Sequence, residues 1–223
     1  QAQAVGLGSM AQCGSRGLRA ALALSLVCVL TLFVPSTTAS SNSMSANARY
    51  EGVATCAGST CHGRAEGNGA VVRQDEISTW QNPASQSGAH SRAYAVLAGR
   101  RGQQIADSLG LGNATQAPAC LGCHATYAPQ TQRGPRFSLT EGVGCESCHG
   151  PAENWLASHY ARPATHQSNV ADGLIPLDQP QARANNCLDC HYGSKNTGQF
   201  VTHSMMAAGH PRVSFELDLF SAL

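Results

Sequence analysis

The sequence predicts a mainly α chain of short helices and long loops, with few or no strands. Three observations carry this. Its helical stretches are brief and closed by Gly or Pro, and long β-branched runs are missing. Its composition is also poor for an ordinary core, with aromatics at 5% and 23 glycines in 223 residues. That length has room for one medium domain or two small ones. Short helices on long loops bury little side-chain area per residue, so something besides side chains must fill the interior.

The elements follow in order. Order is expected to begin near Tyr50. Glu76 to Trp80 reads as helical, and His90 to Leu109 as a second helix with Tyr94, Leu97, Ile105 and Leu109 broadly on one side, ended by Gly110 and Gly112. Pro151 opens a further helical stretch to Tyr160 that contains Trp155, Leu156 and His159. Pro180 opens another that runs into Cys187. Gln199 to Gly209 is a last short helix, stopped by Gly209 and Pro211.

Residues 1–40 differ from the rest. Arg16 and Arg19 precede the apolar run Ala20 to Val34, followed by the small-residue stretch PSTTAS, the layout of a cleavable secretory signal. The run is 15 residues, shorter than the roughly 20 that cross a bilayer as a helix. A retained membrane anchor is the alternative. Met10 sits where an initiator belongs, which makes residues 1–9 an upstream extension. Residues 41–49 read as a polar linker and residues 50–223 as the functional domain. The chain stops on the apolar pattern of Phe215 to Leu223, as a fragment lacking its C-terminal continuation would.

Without residues 1–40 the chain keeps 12 basic against 13 acidic residues, and Lys195 is its one lysine. The arginines are dispersed apart from Arg100-Arg101, so nothing suggests nucleic acid.

Cys13 and Cys28 leave with the signal, and eight cysteines remain. Cys120-Leu-Gly-Cys123-His124, Cys145-Glu-Ser-Cys148-His149 and Cys187-Leu-Asp-Cys190-His191 are three copies of C-x-x-C-H, the c-type haem attachment signal. Cys56-Ala-Gly-Ser-Thr-Cys61-His62 keeps the terminal Cys-His with four residues between its cysteines. Two thiols must reach two vinyl groups on one porphyrin edge while the next residue turns its imidazole onto the iron. Two intervening residues do this in one turn. Four can do it by bulging outward, a freedom that Gly58 and Ser59 supply.

Structural zinc and disulfides are the competing readings of paired cysteines. Nine histidines in 223 residues put a His after all four pairs by chance with a probability on the order of 10⁻⁶. The sequence therefore predicts four haems c, attached at Cys56, Cys61, Cys120, Cys123, Cys145, Cys148, Cys187 and Cys190. Their proximal ligands are His62, His124, His149 and His191. If Cys56 and Cys61 form a small disulfide loop instead, three haems remain. The haems would form the compact core around which helices and loops wrap, so a haem-free chain is expected to be unfolded.

His90, His159, His166, His203 and His210 lie outside the attachment motifs. His90 opens a helix and His159 lies late in one. His203 and His210 are seven apart, about two turns, and would share a face if their helix extended that far. These four are the candidate distal ligands; His166, in a polar stretch, is the weakest. Met205 and Met206 are thioether alternatives, better read as packing.

The chain resembles the cytochrome c-554 family of exported multihaem cytochromes. The residues that carry the resemblance are Tyr50 to His62, Trp80 with His90-Ser-Arg-Ala-Tyr94, Gly142-Val-Gly-Cys-Glu-Ser-Cys-His-Gly-Pro151, and His203 with Ala208-Gly-His-Pro211. The resemblance implies closely packed, mostly bis-histidine haems in a periplasmic electron carrier. By that analogy His90 would ligate the haem of a later motif, that of His149. The longer Cys56 to Cys61 loop departs from the pattern, as does the lack of a free His between His124 and Cys145.

The expected function is electron transfer between a redox-protein donor and acceptor, after loading by the cytochrome c maturation machinery. Membrane association would come through a partner or an uncleaved N-terminus. One alternative is an enzyme or subunit acting on hydroxylamine, nitric oxide or nitrite at a five-coordinate haem, with Tyr160, Arg162 and His166 as candidate lining. Another is a module of a larger membrane-bound or filamentous conduit.

Overall fold

The computed structural model describes residues 47–217, except 71, 86–87, 162 and 213–214. The expected signal, most of the linker, Arg162 and the end of the apolar C-terminal pattern lie outside the described residues.

Short helices joined by loops make up the described chain, and its only β features are two isolated bridges, Tyr50 with Arg133 and Ser194 with Gln199. The helices are α1 (Val53–Cys56), α2 (Glu76–Gln81), α3 (Gly88–Ser91), α4 (Arg100–Ser108), α5 (Pro118–His124), α6 (Cys145–His149), α7 (His166–Ala171), α8 (Pro180–His191) and α9 (His203–Ala207). The mainly α class with short helices and loops is as expected from the sequence.

Local chemistry sets their ends. Pro118 and Pro180 occupy the first turns of α5 and α8, where a missing N–H costs nothing. Thr165 and Ser168 form a reciprocal capping box on α7, and the Thr202 hydroxyl accepts from the Met205 N–H on α9.

The stretch His90 to Leu109 is not one helix. It divides into α3, a 3₁₀ turn (Ala95–Ala98) and α4, because Gly99 takes an extended backbone (φ −72, ψ 160) and caps α4 instead of continuing the turn before it. Residues 151–160 form successive turns, with Leu156 N–H donating to Ala152 and His159 N–H to Trp155. Their start is drawn toward Arg49, which takes the Glu153 N–H on its carbonyl and pairs with the Glu153 carboxylate at 2.7 Å. The last helix is shorter than expected and ends at Ala207, so His203 and His210 do not share a helix face.

The buried apolar set is small in volume. Among the described residues it comprises Val53, Leu97, Ile105, Leu121, Trp155 and seven alanines. One cluster joins Leu97, Ala106, Ala114, Leu121 and Ala125, with Tyr94, Leu111 and Leu139 at its edge. No large side chain among the described residues is completely enclosed. Side chains alone leave the interior thin, as the composition implied.

Candidate haem-binding site

Each regular C-x-x-C-H sits on a helix. It closes α5 and α8 and makes up the whole of α6, so a final turn presents the second cysteine and the histidine together. The first motif differs: Cys56 ends α1, and Gly58 to Cys61 loops out into solvent. Cys61 N–H donates to the Gly58 carbonyl and His62 N–H to that of Cys56, which returns the imidazole toward the helix.

The motifs are held in pairs. Cys56 lies within hydrogen-bonding reach of Cys145, and that bond together with burial pushes the Cys56 thiol up. Cys123 stands in the same relation to Cys190, which is pushed up by the bond and by burial. Two glycines enforce the first pairing. A Cβ on Gly144 would lie 2.8 Å from the Val53 side chain, so α1 and α6 approach as they do only without one. Gly142 takes φ +73 and packs against the His90 carbonyl, where a Cβ would come within 2.5 Å. Val143 N–H donates to that same carbonyl, and its own carbonyl accepts from the Trp80 indole.

A buried carboxylate completes the join. Glu146, inside the third motif, accepts from the backbone N–H groups of Glu51 (2.8 Å), Gly52 (2.7 Å) and Ala152 (2.7 Å). Glu141 accepts from Val53 N–H at 3.1 Å. The start of α1 is thus capped by acids from the third motif's own segment.

Three pairs of imidazoles face one another. His62 and His159 have ring centroids 6.3 Å apart, His90 and His191 are at 6.0 Å, and His124 and His210 at 6.2 Å. Each pair joins an attachment-motif histidine to one outside the motifs. His90 therefore meets the ring of His191 and not that of His149, contrary to the pairing the resemblance implied. Among the described residues no histidine ring is in ring contact with His149, His203 or His166. His149 is exposed by surface area, yet desolvation by the groups packed around its ring lowers its pKa; His203 is exposed; His166 lies 3.4 Å from Asp178.

The second nitrogens of these rings differ in their partners. His62 Nδ1 lies 3.0 Å from Glu76 Oε2, His124 Nδ1 2.8 Å from the Ala93 carbonyl, and His159 and His210 Nδ1 face the Leu156 and Pro211 carbonyls. His191 Nδ1 is buried without a hydrogen-bond partner, and its ring stacks on Phe215 at 4.4 Å. Burial would raise Glu76, but the hydrogen bonds from His62 and nearby backbone N–H groups outweigh it and hold the carboxyl below its ordinary range. Arg101 reaches from α4 to place Nε and Nη2 at 3.0 and 2.6 Å from the Gly209 carbonyl, fixing the loop of His210.

These residues fit haem c. An imidazole nitrogen bonds a metal at about 2 Å, which puts the centroids of two rings sharing one axial iron roughly 6 Å apart. The three observed separations match that. Arg64 Nε and Trp155 Nε1 are buried without protein partners, donors suited to a propionate. Both flank the His62 and His159 pair, since Arg64 follows His62 by two residues and Trp155 packs edge-on against His159 at 5.6 Å. A recess of about 480 Å³ lies beside α1, lined by Val53, Ala54, Ala57 and Trp80 among others.

Glu76, Glu146 and Arg101 were invisible as site residues in the sequence. Glu146 occupies a variable position of its motif, and two of its three partners lie 94 and 95 residues away. Glu76 is 14 residues from His62, a separation that no local periodicity marks.

Residues 55–150 match the family described as cytochrome c554 and c-prime. The chain is 30% identical over 141 residues to a cytochrome c-554 of Nitrosomonas europaea (strain ATCC 19718), over 60% of this chain and 52% of the relative. It therefore spans about half the length of the curated relative it matches. No solved structure matches.

Proposed function

We propose that this chain is a member of the cytochrome c-554 family and an exported electron carrier with four covalently attached haems. When bound, haem c supplies one-electron iron chemistry. Cys56 with Cys61, Cys120 with Cys123, Cys145 with Cys148, and Cys187 with Cys190 would form the thioether links. His62, His124, His149 and His191 would be proximal ligands. The three imidazole pairs carry the reading, because His159, His210 and His90 stand where each would close the iron facing His62, His124 and His191. With a histidine on each side, such a haem would exchange electrons and leave no room for a substrate.

The pairing of motifs supports a continuous route. Cys56 beside Cys145 and Cys123 beside Cys190 draw the first attachment site to the third and the second to the fourth, and Cys148 lies within electrostatic reach of Cys187 and Cys190, joining the third to the fourth. A redox-protein donor and acceptor would sit at the ends, in the periplasm, after haem loading by the maturation machinery. Export rests on the signal-like layout of residues 1–40; among the described residues no helix is long and apolar enough to cross a membrane.

His149 favours a second reading. It has no facing imidazole among the described residues, so its haem would keep an open axial position where a small nitrogen compound such as nitric oxide or hydroxylamine could bind. Mass spectrometry of the purified holoprotein should count four haems. Carbon monoxide should bind one reduced haem if the second reading holds and none if all four irons are closed. His159→Ala, His210→Ala and His90→Ala should each convert one low-spin haem to high-spin, whereas His203→Ala and His166→Ala should leave the spectrum unchanged. A trihaem mass, or no new high-spin signal in the first three variants, would refute the four-haem, imidazole-paired reading.

A further inference from the structure

Among the three paired proximal histidines, only His62 faces a charged acceptor. His124 donates to a neutral carbonyl, and His191 has no hydrogen-bond partner and stacks on Phe215. Glu76 is firmly placed: one carboxylate oxygen accepts from the Arg73 N–H at 2.8 Å and the other takes His62 Nδ1. The Ile77 N–H returns to the His62 carbonyl at 3.1 Å, so α2 grips both ends of that histidine.

A proximal imidazole whose outer N–H donates to a carboxylate carries more negative charge at its metal-bound nitrogen. That charge favours ferric over ferrous iron and lowers the potential; solvent exposure acts in the same direction. The His62 side chain is 32% exposed, and Gly58 to Cys61 beside it are exposed too.

We infer that Glu76 is a positioning residue that makes the haem at His62 the lowest-potential member of the three imidazole-paired haems. The inference rests on the haem assignment proposed above. At equilibrium this haem is the last of the three to be reduced and the first to give its electron up. The carboxylate also holds the imidazole of the one motif whose longer loop positions it least tightly.

The test is a spectropotentiometric titration of holoprotein carrying Glu76→Gln, with haem content first fixed by mass. Glutamine keeps a neutral acceptor and removes the charge. The haem at His62 should move furthest to higher potential, the haem at His149 should follow by less because its imidazole also feels the Glu76 charge, and the other two should stay in place, with the low-spin ligand-field signature of the His62 haem changing in parallel. Glu76→Asp, which keeps the charge on a shorter arm, should fall between wild type and Glu76→Gln, and protects the test should Gln fold poorly. Unchanged potentials at full haem content overturn the inference and leave the haem assignment standing, and so does a uniform shift of every haem. A wild-type mass with three haems, and none on Cys56 and Cys61, overturns both.

Discussion

The carboxylate of Glu146 accepts the Gly52 N–H at 2.7 Å, joining the third attachment helix to the start of the first. It also takes the N–H groups of Glu51 and Ala152. Glu146→Ala would leave these three donors without their acceptor. At about 1–3 kcal/mol for each donor left buried and unpaired, a loss of about 3 kcal/mol or more is expected. Thermal unfolding of the holoprotein measures it.

Glu146 also predicts a pH dependence. Burial outweighs the three N–H bonds and holds its carboxyl above the ordinary value of 4.5. Above that value the unfolded chain has lost the proton while the folded chain still holds it. Stability contributed by this group is therefore full below about pH 4.5 and declines as pH rises through the folded pKa. Glu146→Gln should remove that slope, seen as a smaller change of Tm with pH between about 4.5 and neutrality. Equal slopes in the two proteins would dismiss the role of burial.

Gly142 sits at φ +73 against the His90 carbonyl. An alanine there meets two penalties. The left-handed backbone costs about 1–2 kcal/mol for a residue with a Cβ, and the contact with backbone oxygen at 2.5 Å can be relieved only by moving the His90 segment. Gly142→Ala is expected to lower Tm and to raise the high-spin fraction of one haem, since His90 faces His191. Gly112→Ala makes the control, being left-handed with open space around it: it should lower Tm without altering the haem spectrum.

What the sequence disclosed and what it hid follow from one distinction. The C-x-x-C-H spacing is local chemistry, and so is the proline that opens α8; these could be read directly. The His90 stretch was read as one helix because its periodicity is continuous, while the break at Gly99 depends on how Leu97 and Ala106 pack into the cluster with Leu121. The partners of His90, His159 and His210 could not be read at all. Each is separated from its facing histidine by 86 to 101 residues, so the pairing is set by tertiary packing and by no local pattern.

A haem-free chain should not hold this fold. Its buried apolar residues are mostly alanine, and no large side chain among the described residues is fully enclosed. Such a core cannot offset the conformational entropy of ordering loops this long. Protein made without haem attachment, by Cys→Ser substitution at all four motifs, is expected to lose its helical far-ultraviolet circular dichroism and cooperative melting. A helical, cooperatively melting haem-free chain would contradict the view that the prosthetic groups are the core.

Arg101 tests whether the C-terminal loop holds His210 in place from a distance. Its guanidinium donates twice to the Gly209 carbonyl, the residue before His210, from a helix 108 positions earlier in the chain. The bonds are exposed, so their loss in Arg101→Ala should cost no more than about 1.5 kcal/mol of stability. The spectroscopic effect should be larger than that suggests, because the freed loop carries the ring that faces His124 at 6.2 Å. A partial high-spin signal, growing with temperature and confined to one haem, is the expected outcome. Arg101→Lys should rescue it poorly, since a single ammonium cannot reproduce the two-point hold on one oxygen. If both variants keep a fully low-spin spectrum at that haem up to the melting transition, the loop needs no such tether.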